Sequence, residues 1–328
     1  TQVAFASGFA SLRRFNDAFR RRYGMPPSHL RRAARTPGAN PGDQLILQLG
    51  YRPPFDWDGL LQFLAPRALR GVEIIADSSY ARTVALGGAT GTIAVRHAPE
   101  RRALMLELSH SLLPVLPALL DRVRNLFDLT ARPDLINQRF GADPLLAPLA
   151  AANPGLRVPG AFDCFEIAMR AILGQQVTVK GASTLAARVV ESFGQPIETD
   201  RPGLTRLAPT AERLAAAPVD GVASLGIVRT RAVSVVTLAR EISGGRLHLQ
   251  PGVDPAATVR RLTEIPGIGP WTAHYIAMRV LRWPDAFPRE DKVLRDALGG
   301  ISAREAERQA EAWRPWRSYA ALHLWRTQ

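Results

Sequence analysis

The chain is poor in the residues that build covalent and metal scaffolds. It has one cysteine, Cys164, in 328 residues. A lone thiol cannot close an internal disulfide, ligate a four-thiolate iron–sulfur cluster or complete a zinc finger. Cys164 falls in the apolar phase of an expected helix and reads as a small buried hydrophobe. Lysine is almost as scarce, with only Lys180 and Lys292. No apolar run is long enough to span a bilayer, and the N-terminus lacks a signal-peptide pattern. A cytoplasmic protein is expected, which in a bacterium includes the nucleoid. Acidic residues are also in deficit: 29 Asp and Glu against 42 Lys and Arg leave a net charge of +13. Such a surplus points to a polyanionic partner and says nothing of fold. It is concentrated at the start, where residues 1–35 hold eight arginines and one aspartate.

The stretch LTEIPGIGPWTAHYIAMRVLRWPDAFPRED, residues 262–291, carries the densest signal. Ile265-Pro266-Gly267-Ile268-Gly269-Pro270 reads as a glycine hairpin between two short helices. Pro270 suits the first position of the second helix, where its missing N–H costs nothing. The free N–H groups of the hairpin and of the next helical turn form an anion site, for which a DNA phosphate is the natural ligand. Such a contact positions a protein on the backbone and reads no sequence. Taken alone, the glycines fit a plain αα-hairpin equally well. Trp271 and Tyr275 then share one helix face, and after Pro284 and Pro288 a new helix opens at Asp291. On spacing alone Asp291 is as well explained as a helix N-cap.

Hairpin, aromatics and aspartate together resemble the helix-hairpin-helix glycine/proline/aspartate (HhH-GPD) superfamily of DNA glycosylases, through IPGIGPWTAHYIAMR and AFPREDKVLR. Upstream, LILQLGYRP alternates like a strand and FDWDGLLQFLAPRAL reads as an amphipathic helix. VEIIAD, YARTVAL, GTIAVRHA and ALMLELS follow as short strands. A small antiparallel sheet with helices on one face is expected. RPPFDWDGLLQFLAPRA, EIIADSSYARTVAL and RVRNLFDL resemble the N-terminal domain of AlkA-type 3-methyladenine DNA glycosylases, which most HhH-GPD enzymes lack. From Asp128 the chain reads as nearly all helix, with two helices meeting at Gly174-Gln175-Gln176. At the start, GFASLRRFNDAFRRRYGMPPSHLRR resembles the second half of an AraC-type DNA-binding domain, with Arg13 and Arg14 on its basic helix. A complete domain of that type needs more chain upstream, so the sequence reads as a piece of a longer protein. The expected fold is mainly α with an α+β N-terminal domain. A truncated helix-turn-helix spans 1–36, a linker 37–43, the sheet domain 44–126 and the helical HhH-GPD region 127–328.

The resemblance implies a monofunctional hydrolase that flips an alkylated purine, of the 3-methyladenine or 7-methylguanine type, out of double-stranded DNA. It implies catalysis by Asp291 and a base pocket of Trp271, Tyr275, Trp325 and Phe63, whose rings suit a cationic base. It places DNA against Gly267, Ile268, Gly269, Thr272, Gln175 and Gln176, with Gln176 where other members hold an apolar wedge. Lys292 stands where an aromatic can line the pocket, and a cation beside Asp291 would favour its ionised form. Glu290 is the nearest rival acid. Strand-cutting members carry a Schiff-base lysine directly after the hairpin; here that residue is Trp271. No cofactor is expected, and no iron–sulfur cluster. A monovalent cation on the carbonyls of Thr263, Ile265 and Ile268 is implied by the family. A monomer is expected, with promoter DNA as a second ligand of the helix-turn-helix. The rival reading is an Ada-like regulator of the alkylation response whose glycosylase domain is inactive or secondary.

Overall fold

The computed structural model describes residues 11–28 and 44–327. Of the N-terminal stretch it therefore shows the helix Leu12–Tyr23 (α1), capped by Ser11 and closed by Gly24 in the left-handed region. Arg13 and Arg14 lie exposed on it, while Phe15 and Phe19 are half-buried. The expected linker over 37–43 lies outside the described residues.

Strands form where apolar residues alternate. In Gln44–Gly50 (β1), Leu45, Leu47 and Leu49 are buried and Ile46 is exposed, as a period of two dictates. After the helix Trp57–Leu64 (α2) come Glu73–Ala76 (β2), Ser79–Leu86 (β3), Ala89–Ala98 (β4) and Ala103–Ser109 (β5). The sheet is antiparallel, in the order β1-β5-β4-β3-β2. Helix α2 and Leu116–Leu126 (α3) cover one face, with Trp57, Leu60, Leu64, Leu120 and Val123 meeting the strand leucines. This core also takes in Phe127 and Phe162. The sheet domain thus draws on chain beyond residue 126.

The helical region runs through Pro133–Phe140 (α4), Leu146–Ala152 (α5), Cys164–Leu173 (α6), Val179–Phe193 (α7), Ala211–Ala215 (α8), Val219–Ala223 (α9) and Arg229–Ser243 (α10). Pro255–Thr263 (α11), Pro270–Arg279 (α12), Lys292–Ala297 (α13), Ala303–Ala310 (α14) and Arg317–Trp325 (α15) complete it. Helix α6 is its axis: eight of its ten residues are buried, and it packs against α10 and α12. The region is not wholly helical. Gln195–Pro196 pairs with Arg206–Leu207, and Leu204 packs on Ala81 and Ala94, on the sheet face that α2 and α3 leave open. Strands of two residues offer no periodicity to read. Cys164 is a further departure. It is the first residue of α6, after the N-cap Asp163, and only partly buried. Burial, with Asp163 beside it, pushes its thiol up to about 12. Among the described residues no helix is long and apolar enough to cross a membrane.

Buried histidines make the fold sensitive to acid. His323 on α15 is 2% exposed and packs edge-on against Phe140. Burial, helped by Arg326, lowers its pKa from 6.5 to about 4. The unfolded chain therefore binds this proton more readily than the folded one. Stability from His323 is full above about pH 6.5 and is lost as pH falls towards 4. The loss is about 3 kcal/mol at its greatest. Urea melts at pH 7.5 and 5 are expected to differ accordingly, and His323→Phe to flatten the difference. An unchanged slope in that variant would remove His323 from the account.

Candidate active site

Ile265 and Ile268 are buried and pin the hairpin between α11 and α12 into the helical core. Their own backbones close the turn, Ile268 N–H donating to Ile265 O at 3.0 Å. Gly267 sits at φ +83°, and a Cβ there would lie 2.3 Å from Ser234 Oγ on α10. Ser234 Oγ in turn donates to Pro266 O at 2.6 Å. At Gly269, the N-cap of α12, a Cβ would meet nothing within 4 Å, so that face is open. Among the described residues the N–H groups of Gly267, Gly269, Trp271 and Thr272 have no protein acceptor. Gly267→Ala is expected to cost about 2 kcal/mol of stability through its left-handed backbone and to weaken DNA binding as the hairpin shifts. Thermal melts and duplex titration would check both, and an unshifted melt would refute the steric argument.

Two other residues expected at DNA point inward. Thr272 is 2% exposed. The Gln175 amide, from the turn between α6 and α7, donates to Thr272 Oγ1 at 2.8 Å and to Gly267 O at 2.9 Å. Gln175 is thus a brace between turn and hairpin, and only the backbone N–H of Thr272 is left to face a ligand.

Beside the hairpin lies a cavity of about 470 Å³. Trp271, Tyr275, Trp325, Phe63 and Asp291 all line it, though they come from three helices and a helix cap. Trp271 and Tyr275 stack nearly parallel at 5.3 Å, and Trp325 lies 6.2 Å from Tyr275. Asp291 is both a cap and a wall. Its Oδ1 accepts from Leu294 N–H at 2.9 Å, which starts α13, and from Trp325 Nε1–H at 3.0 Å; its Oδ2 accepts from Trp271 Nε1–H at 2.7 Å. Two aromatic walls are therefore held by the carboxylate they flank. A larger cleft of about 610 Å³ lies elsewhere, by Arg122, Asp163 and Cys164. Its carboxylates are Asp121, Asp163 and Glu212; Asp163 pairs with Arg122 at 3.2 Å, and none of the three accepts from an indole N–H as Asp291 does.

Phe63 departs from its expected part. The guanidinium of Arg67 lies 3.9 Å over its ring and that of Arg279 5.0 Å. Its π-face is already used by protein cations. Arg67, Arg170 and Arg279 also line the cavity, which sequence reasoning missed. The signal was present: Arg67 follows Phe63 by four and Arg279 follows Tyr275 by four. Arg279 Nη1 donates to Tyr275 Oη at 2.8 Å. Burial pushes the Tyr275 phenol up, but Arg279, Arg67 and Arg170 outweigh it and hold the phenol below its ordinary range. Two neighbours of Asp291 play no part in the cavity. Lys292 pairs with Asp296 and its side chain is 79% exposed. Glu290 precedes α13 rather than lying on it, and Arg289 Nε donates to its Oε1 at 2.9 Å. Trp313 and Tyr319 are core, bonded to Asp143 and Asp128.

Residues 169–317 match the HhH-GPD superfamily base excision DNA repair protein model, 46–163 the AlkA N-terminal domain and 1–33 a helix-turn-helix domain. DNA-3-methyladenine glycosylase 2 of Escherichia coli is 39% identical over 85% of this chain and 96% of its own length. The chain belongs to the HhH-GPD superfamily. It is a base excision repair glycosylase, with only part of a helix-turn-helix before it. A probable bifunctional transcriptional activator/DNA repair enzyme AlkA of Mycobacterium tuberculosis is also 39% identical, over 99% of this chain; the chain spans 66% of that relative. In fold, the chain resembles the 3-methyladenine DNA-glycosylase of Archaeoglobus fulgidus, with a TM-score of 0.71 at 21% identity over 85% of this chain and 96% of that one.

Proposed function

We propose that the chain excises alkylated purines from double-stranded DNA as a monofunctional glycosylase, acting as a monomer in the cytoplasm. One observation carries the reading: a carboxylate fixed by two indole N–H groups at an aromatic cavity, beside a hairpin whose Gly267 and Gly269 N–H groups have no acceptor among the described residues. The hairpin and the first turn of α12 hold a phosphate. The nucleotide turned into the cavity stacks on Trp271 and Trp325. A 3- or 7-alkylated purine already carries positive charge, so its leaving needs no proton. Asp291 then stabilises the cationic sugar, or orients the water that attacks C1′. Trp271 stands where a strand-cutting member would hold its lysine, and Lys292 is engaged outside the cavity. The helix-turn-helix segment adds a second grip, on promoter DNA. No organic cofactor or iron–sulfur cluster is part of this reading.

The oxygens expected at the hairpin fit a monovalent cation. Among the described residues neither the Thr263 nor the Ile268 carbonyl accepts a backbone hydrogen bond, and Ile265 O, bonded once, keeps a second lone pair. Such an ion would add positive charge next to the phosphate.

The reading is tested by base release from duplexes holding 7-methylguanine or 3-methyladenine, with borohydride added in parallel. Free alkylated base with an abasic duplex, and no covalent adduct, is expected. An adduct would establish lyase chemistry. No release from alkylated, deaminated or oxidised duplexes would leave the regulator reading in its place.

A further inference from the structure

Two of the cations at the base cavity have no anion of their own. Arg67 and Arg279 both line it. Arg67 donates to the Phe63 carbonyl at 2.8 Å. Arg279 donates to the carbonyls of Pro159 and Gly160 and, at 2.8 Å, to the Tyr275 hydroxyl. Among the described residues no carboxylate pairs with either. Arg170, the third arginine of the cavity, is neutralised by Glu73 and Glu166. A guanidinium holds its N–H donors in a planar fork, and the bond to Phe63 leaves most of those of Arg67 for other partners. Tyr275 is already used as an acceptor, since Arg279 donates to its oxygen and Arg67 stands at the same hydroxyl. The hydroxyl proton has no acceptor among the described residues and is left for a ligand. This end of the cavity therefore offers donors and calls for an acceptor.

Placement along α12 decides which part of a base meets these donors. Trp271 holds Asp291, and the sugar carbon under attack lies there. Tyr275 stands four residues further on, about 6 Å of helix, with Arg279 another four beyond on the same face. A purine whose sugar bond lies at Asp291 extends along this wall. Its position 6, on the side of the ring system away from that bond, arrives at Tyr275 and Arg67. Guanine presents a carbonyl there and adenine an amino group. The carbonyl accepts from both donors. The amino group sets donor against donor and leaves an unpaired cation desolvated. We propose that Arg67 and the Tyr275 hydroxyl form a donor pair that reads position 6 of the flipped purine and favours a carbonyl over an amino group. The inference rests on the reading that the cavity takes an alkylated purine.

A duplex treated with dimethyl sulfate carries 3-methylguanine and 3-methyladenine together, so one single-turnover reaction reports both. Each rate is divided by the spontaneous loss of that base from the same DNA, which removes the difference in leaving ability. The parent's corrected ratio is expected to favour 3-methylguanine by about tenfold. Arg67→Met keeps an unbranched chain against Phe63 without the donors and is expected to remove most of that preference. Tyr275→Phe drops the hydroxyl alone and is expected to lower the ratio about fivefold. Melting points show whether each variant folds. Arg67→Lys keeps the charge without the fork and is expected to fall between the parent and the methionine variant, so it decides the matter where methionine unfolds the chain. An unchanged ratio in the Arg67 variants, an equal loss of both bases, or a parent that favours 3-methyladenine would each overturn the proposal while release itself stands. No release of either base by the parent would remove the glycosylase reading and this inference together.

Discussion

Asp291→Asn is expected to lower base release by about 10³-fold while leaving the fold and DNA binding intact. The fold survives because asparagine caps helices as well as aspartate does, and Leu294 N–H still finds an oxygen. The chemistry does not survive, for two reasons. Two indole N–H groups and one backbone N–H converge on the two oxygens of Asp291. An amide keeps only one oxygen. If that oxygen stays on Leu294 and Trp325, the NH₂ faces the Trp271 N–H, donor against donor. The larger loss is the charge. A cationic sugar forming in a pocket walled by aromatic rings, with Arg67 and Arg279 near, has Asp291 as its lining anion. Trp271→Phe separates the two effects. It retains the ring and the carboxylate but drops one donor, so a decrease of about tenfold is expected. Single-turnover release measures both variants. A rate for Asp291→Asn within tenfold of the parent would show that the carboxylate is a cap and nothing more.

The parts of this site differed in how readable they were. The hairpin could be read because glycine and proline act locally: Gly267 is required by its own φ and Pro270 by its place at a helix start. The five strands and α2 were readable because burial on one face imposes a period. Asp291 was ambiguous between cap and catalyst because both uses select aspartate before a helix, and the structure shows one oxygen capping while both meet indoles. Side-chain direction was the part sequence could not supply. Gln175 and Gln176 are adjacent and chemically identical, yet one turns into the protein and the other stays exposed. Arg67 and Arg279 look like surface charge on amphipathic helices. Arg67 reaches the Phe63 ring from the turn just past α2, four residues on, whereas Arg279 reaches the same ring only because α12 lies beside α2. Lys292 misled for the same reason: being next to Asp291 in the chain put it on the outer side of α13, with Asp296.

Glu166→Gln is expected to destabilise the protein by about 3–5 kcal/mol, the largest stability effect of any single substitution considered. Glu166 on α6 is 1% exposed. Its Oε2 accepts from Arg82 Nη2 on β3 at 2.6 Å and its Oε1 from Arg170 Nη1 at 3.1 Å. Glu73 completes the group, 3.6 Å from Arg82 and 3.1 Å from Arg170, and takes the Tyr80 hydroxyl at 2.6 Å. The four charges balance. Burial raises both carboxyls; at Glu73 Arg170 and Arg82 outweigh it and keep the group below its ordinary range, whereas at Glu166 burial wins over the same arginines and the group stands above it. Removing one anion leaves two buried guanidinium groups around a single carboxylate. The consequence reaches the active site, because Arg170 lines the base cavity and donates to the Arg67 carbonyl. A loss of release beyond that explained by unfolding is therefore expected, together with a melting point lowered by about 10 °C. The companion variant Glu166→Gln with Arg82→Met withdraws one cation as well as one anion, and apolar replacement of buried ions is often neutral. It should recover most of the stability. Failure to recover would mean that Arg82 holds β3 to α6 through its packing over Phe162, 4.3 Å away, rather than through charge.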